Sequence, residues 1–204
     1  MAEVPRDRSF DRYLTFLDAI VAIAITLLVL PLVDLATEHD GTAVELLTGR
    51  LGELGAFALS FVVLFRFWWG QRNVVRYVVV DDPFVNDALF VWVAAMVVLP
   101  FPSALIATNG DDALTRGLYI GTMLVGATAL TAASWATGRD PAITGGATPP
   151  DLGNSVTFTL ILAVALVLTL AFPATSYYPL LLLLLSRWVR NGVGVLTSRF
   201  ARSE

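Results

Sequence analysis

The chain has 204 residues, 56% of them hydrophobic and only 15% charged, with a mean hydropathy of +0.73 and a formal net charge of -4. That composition lies far outside the range of a soluble domain and reads as an integral membrane protein. There is no cysteine, which excludes disulfides and thiolate metal sites, and no basic face that could track phosphates, so no nucleic-acid partner is expected.

The first element runs through RYLTFLDAIVAIAITLLVLP, Arg12 to Pro31. From Ala19 to Leu30 only Thr26 is polar, and about 20 such residues at a rise of roughly 1.5 Å each cross a bilayer core. The apolar run is too long for the core of a secretory leader, and it reads as an uncleaved first span over 12–33. Helical spacing places Phe16, Ile20, Ile23, Leu27 and Leu30 in one stripe with Thr26 beside it, and Ala19, Ala22 and Ala24 leave room for close neighbours. Asp18 is a carboxylate just inside the span, a position that costs free energy unless a partner or water compensates it.

A second span is expected over 53–77, with Arg66 snorkelling near Trp68 and Trp69. Asp82 and Pro83 start a third, 83–107, and Pro100 and Pro102 should kink or end it near its far side. The fourth is expected over 113–137, and the Pro/Gly-rich stretch 138–154 reads as a flexible loop. A fifth span over 155–172 and a sixth over 177–196 complete an all-α membrane domain of six helices spanning 1–204.

All 13 basic residues are arginines, and a six-span arrangement places most of them, Arg12, Arg72, Arg76 and Arg139 among them, on one side. Both termini of a multi-pass protein of the cell membrane are therefore expected in the cytosol. Asp34, Glu38, Asp40 and Glu45 fall on the other side, where an acidic mouth would raise the local concentration of cations.

Enzymatic constellations are missing: the sequence has no G-x-S-x-G, Walker or H-E-x-x-H motif, and no cofactor or fixed metal is expected. Permeation is the remaining class, yet the Thr-Val-Gly-Tyr-Gly filter of backbone carbonyls is absent as well. A symmetric ring of Ile23, Leu27 and Leu30 from several subunits would instead make a hydrophobic constriction, with Thr26 as the polar group at that depth. Two alternatives stay open, a secondary cation or proton transporter using Asp18, Asp87 and Arg66, and a non-transporting membrane scaffold whose first helix only packs.

Arg12, Phe16, Leu17 and Asp18, followed by AIVAIAITLLVL, resemble the first-helix hallmark of the transmembrane protein 175 family, the lysosomal potassium channel and its smaller bacterial relatives. The family's pattern has serine where this chain has Leu17. Pro100-Phe101-Pro102-Ser103 and the Trp68-Trp69 region are similar to further family segments, with Gln71 where many relatives are expected to carry histidine. The resemblance implies a homotetramer in the lipid bilayer that passes potassium in preference to sodium, its first helix lining the pore. It further implies the narrowest ring at Ile23, more apolar layers at Leu27 and Leu30, and a motif network of Arg12, Phe16 and Asp18 with second-helix partners Trp68 and Gln71.

Overall fold

The computed structural model describes residues 7–110, 112–148 and 151–171. The described residues form helices and turns without strands: α1 (Arg8–Leu27), α2 (Leu30–Thr37), α3 (Ala43–Gly49), α4 (Leu51–Val75), α5 (Pro83–Val98), α6 (Pro100–Asn109), α7 (Ala113–Arg139) and α8 (Leu152–Ala171). Five helical stretches among them are long and apolar enough to cross a membrane, namely Arg8–Thr37, Leu51–Val75, Pro83–Thr108, Ala113–Arg139 and Leu152–Ala171. The sixth span expected at 177–196 lies outside the described residues.

Local chemistry fixes the helix starts. Asp7, Asp82 and Asp112 each accept a backbone N–H of the first turn, from Ser9, Val85 and Thr115 respectively, and Thr42 with Glu45 forms a reciprocal capping box on α3. The amide of Thr115, and then its hydroxyl, hold the exposed Asp112 carboxyl below its ordinary range.

The first span, expected as one helix over 12–33, starts earlier and is divided. Pro31 has no N–H to give to the Leu27 carbonyl four residues back, and its ring crowds that carbonyl. The chain responds by tightening at Leu28 and Val29, where Val29 N–H bonds to Thr26 O (3.2 Å) and Leu32 N–H to Val29 O (3.0 Å). The same steric rule divides the third span at Leu99, immediately before Pro100. Both breaks open on one small cavity of about 20 Å³ lined by Leu28, Pro31, Glu53, Pro100 and Ser103.

The helices are organised around α7, which packs against α5, α8, α6 and α4. Its buried face is built from small residues, Gly126, Ala127, Ala129, Ala133, Ser134 and Ala136, so neighbouring backbones come close and the large side chains Trp92, Phe67, Met96 and Met123 fill the space around them. A chain of buried hydroxyls crosses the end of the bundle near the Pro100 break: Ser103 donates to Ser60, which is 3.2 Å from the Tyr119 hydroxyl. At the opposite end, Asp7 N–H bonds to Val79 O and Val79 N–H to Ile143 O (2.9 Å), while Tyr13 donates to the Asn86 carbonyl. Ile143 and Thr144 are buried, so the described part of the 138–154 stretch, read from sequence as a flexible loop, is docked onto the bundle by its own apolar side chain and backbone.

Of the α7 glycines Gly117, Gly121 and Gly126, Gly126 is the most tightly enclosed, since a Cβ there would meet Met96 Cε at 2.9 Å and Phe67 Cε1 at 3.3 Å. Gly126→Leu should therefore lower stability by about 1–3 kcal/mol of overpacking. Gly121→Leu, into open space on the same helix, should not. Thermal midpoints of the detergent-solubilised variants check this.

Candidate functional site

Helix α1 presents two apolar faces. One is buried in the protomer: Phe10, Leu14, Leu17, Val21, Ala24 and Leu28 recur at intervals of three and four against α4 and α5. The stripe singled out from the sequence lies on the other side, with Phe16, Ile23, Leu27 and Leu30 at 60%, 59%, 41% and 52% exposure and Ile20 half-buried. Val21 and Ile23, about 200° apart around the helix, fall on opposite faces. Leu17, the departure from the family's serine, is an apolar member of the buried face and packs where a hydroxyl would have needed a partner.

Thr26 lies on the exposed side, and its hydroxyl donates to the Ile23 carbonyl (2.8 Å). The oxygen thus keeps its lone pairs outward while its hydrogen is committed to the backbone. Past the Pro31 break, Asp34 and Glu38 are exposed and one turn apart along α2.

At the arginine-rich end the structure pairs Asp18 with Trp68, whose indole N–H donates to Asp18 Oδ1 at 3.0 Å. Arg72 lies one turn further along α4 with its guanidinium carbon 5.0 Å above the Trp68 ring, and Phe65 packs on the same indole at 5.5 Å. A cavity of about 470 Å³ is bounded on the α1 side by Asp11, Thr15 and Asp18, and on the α4 side by Gln71, Arg72 and Arg76. Gln71 is 1% exposed, and its Oε1 has no hydrogen-bond partner among the described residues.

Of the expected first-helix network, Asp18 meets Trp68 directly, whereas Arg12 and Phe16 point outward from the protomer. Asp18 and Arg66 are not brought together: Trp68, which binds Asp18, and Arg66 are two positions apart on α4, and the Arg66 guanidinium packs over Phe158 of α8 at 5.3 Å. Sequence reasoning passed over Arg72, although the spacing Trp68 to Arg72, four residues on one helix, is the signal for such stacking. Arg116, within the expected fourth span, is buried near the start of α7.

Residues 12–100 match a family model described as Endosomal/lysosomal potassium channel TMEM175. Over that stretch the chain is similar to the TMEM175 potassium channel family. The matched region contains α1 from Arg12 onward, the Asp18–Trp68 pair and the helix before the Pro100 break. No curated protein and no solved structure matches the chain.

The pairing of Asp18 with Trp68 makes a defined expectation for stability. Trp68→Phe keeps the ring and the Arg72 contact but removes the N–H, and should cost about 1 kcal/mol in wild type. In an Asp18→Asn background the same change should cost less, because the charge that strengthened the bond has gone. A double-mutant cycle on thermal unfolding in detergent measures the coupling; strict additivity would show that the two side chains act independently.

Proposed function

We propose that this chain is the pore subunit of a potassium-selective channel in which four copies surround a central pathway lined by α1. The observation that carries the reading is the exposed stripe Phe16, Ile23, Leu27 and Leu30 on a helix whose opposite face is already filled by its own protomer. An apolar stripe of this kind needs lipid or further copies of the chain, and the match of residues 12–100 to a potassium channel family model favours the copies. In this reading the arginine-rich end, with both termini, faces the cytosol. The six spans form one domain over residues 1–204.

Ile23 is the narrowest ring and Leu27 and Leu30 are the next layers. A narrow aliphatic passage gives an ion nothing to replace its hydration shell, so the ring holds the pathway shut by dewetting and widens to conduct. Thr26, with its lone pairs turned to the exposed side, is the polar contact at that depth and contributes to the preference for potassium. Arg12, Phe16 and Asp18 with Trp68 and Gln71 hold the cytosolic ends of the first and second spans in register. Asp34 and Glu38 concentrate cations at the outer mouth.

Purified protein in a planar bilayer under a potassium/sodium gradient should give unitary currents with a reversal potential displaced toward potassium. A transporter or scaffold would give none. Ile23→Ala should raise conduction and weaken discrimination between the two cations, because the shortened ring stays wet. Val21→Ala should instead lower thermal stability by about 1 kcal/mol and leave the currents alone, since Val21 is buried against the protomer's own core. Loss of tetramer without gain of current in Ile23→Ala would mark the stripe as packing only.

The outer-mouth assignment has its own signature. Replacing Asp34 and Glu38 by Asn and Gln should lower single-channel conductance at low ionic strength and leave it nearly unchanged at high salt, where the screening length falls to about 3 Å. An equal loss at both salt levels would exclude an electrostatic role.

A further inference from the structure

Three arginines at the end of the bundle where α4 and α7 finish and α5 begins are packed on aromatic rings, and they differ in what else they touch. Arg72 lies over Trp68 inside the cavity beside Asp18, and Arg76 lies over Tyr77 and donates to its hydroxyl. Arg139, the last residue of α7, is placed differently. Its guanidinium carbon is 4.7 Å from the Trp135 ring and 5.8 Å from the Phe84 ring, and those two rings meet edge-to-face at 6.0 Å across the α5–α7 contact. All three side chains are exposed on the outside of the helix pair.

The neighbouring carboxylates are already engaged: Asp140 accepts the Ala142 N–H and Asp82 the Val85 N–H, each at 2.9 Å. Among the described residues no carboxylate or carbonyl accepts from the Arg139 guanidinium. The group is therefore held by two rings while its planar fork of donors has no acceptor among the described residues. A guanidinium is weakly hydrated and matches two phosphate oxygens at once. Exposed Trp and Phe at the end of a membrane helix lie at the level of lipid headgroups, where their apolar bodies meet acyl chains.

We infer that Arg139, held between Phe84 and Trp135, binds the headgroup phosphate of an anionic phospholipid at the arginine-rich membrane face. The rings aim the fork along the interface and cover the glycerol end of the lipid, and the net negative headgroup neutralises a cation with which no carboxylate among the described residues pairs. This site is separate from the α1 stripe and stands whether or not the chain conducts.

The test compares wild type, Arg139→Gln, Trp135→Leu and, as a control for general surface charge, Arg8→Gln, an exposed arginine at the same end. Full-length protein in neutral micelles is titrated with phosphatidylglycerol or phosphatidylcholine, and bound lipid is counted by native mass spectrometry while the thermal midpoint is followed. Wild type and Arg8→Gln should bind phosphatidylglycerol and be stabilised by it beyond phosphatidylcholine. Arg139→Gln should bind it about tenfold more weakly, a difference of about 1.4 kcal/mol. Trp135→Leu should fall between the two. Equal affinity in wild type and Arg139→Gln, equal losses in Arg139→Gln and Arg8→Gln, no preference over phosphatidylcholine, or the same stabilisation by inorganic phosphate would each overturn the assignment.

Discussion

A membrane helix that is apolar on every side can bury only one face within its own protomer, and the arrangement of this protein follows from how α1 meets that constraint. Phe10, Leu14, Leu17, Val21, Ala24 and Leu28 go inward against α4 and α5, which leaves Phe16, Ile23, Leu27 and Leu30 on the outside. In water the outward set would drive aggregation; in lipid it is tolerated. The inward set is well packed, so it fixes the direction in which the outward set points. Leu17 contributes to that orientation with dispersion contacts where a hydroxyl would contribute a hydrogen bond.

The second constraint is that backbone polar groups inside a bilayer have to be satisfied by the helix itself or by a neighbour. Pro31 and Pro100 each remove one donor from a span, and both removals are placed at the same small cavity beside Glu53 and Ser103. Next to it the buried hydroxyls of Ser103, Ser60 and Tyr119 join α6, α4 and α7, so the divided third span is anchored by polar contacts where its backbone ladder is interrupted. The other end is closed by backbone pairs from Asp7 to Val79 and from Val79 to Ile143, and by the Tyr13 bond to Asn86. Between these two ends the bundle is held mostly by close packing on the small-residue face of α7.

Several charged side chains at the arginine-rich end rest on aromatic rings. Trp68 takes Asp18 on its edge and Arg72 on its face, so one indole separates opposite charges that would otherwise collapse onto each other. Arg139 between Phe84 and Trp135 uses the same chemistry on the outer surface. Such stacking suits a region where water is scarce, because the ring quadrupole stabilises the cation without demanding that a carboxylate be desolvated beside it.

The sequence by itself determined that this is a helical membrane protein, because runs of about 20 apolar residues have few other stable solutions, and it located the family motif in α1 because Arg12, Phe16 and Asp18 are local to one helix. Pro100 was legible as a breaker, whereas the division of the first span at Leu28, ahead of Pro31, had to be seen in the backbone. Only the tertiary structure decided which face of α1 turns inward, since both stripes are apolar with the same spacing and periodicity cannot tell a core from an unpartnered surface. It also decided that Asp18 meets Trp68, 50 residues away, with Arg12 turned outward, and that Ile143 docks a stretch whose Pro and Gly content reads as a free loop. In each case the deciding quantity is a contact between segments distant in sequence, which depends on how α4, α5 and α7 come together and has no counterpart in local pattern.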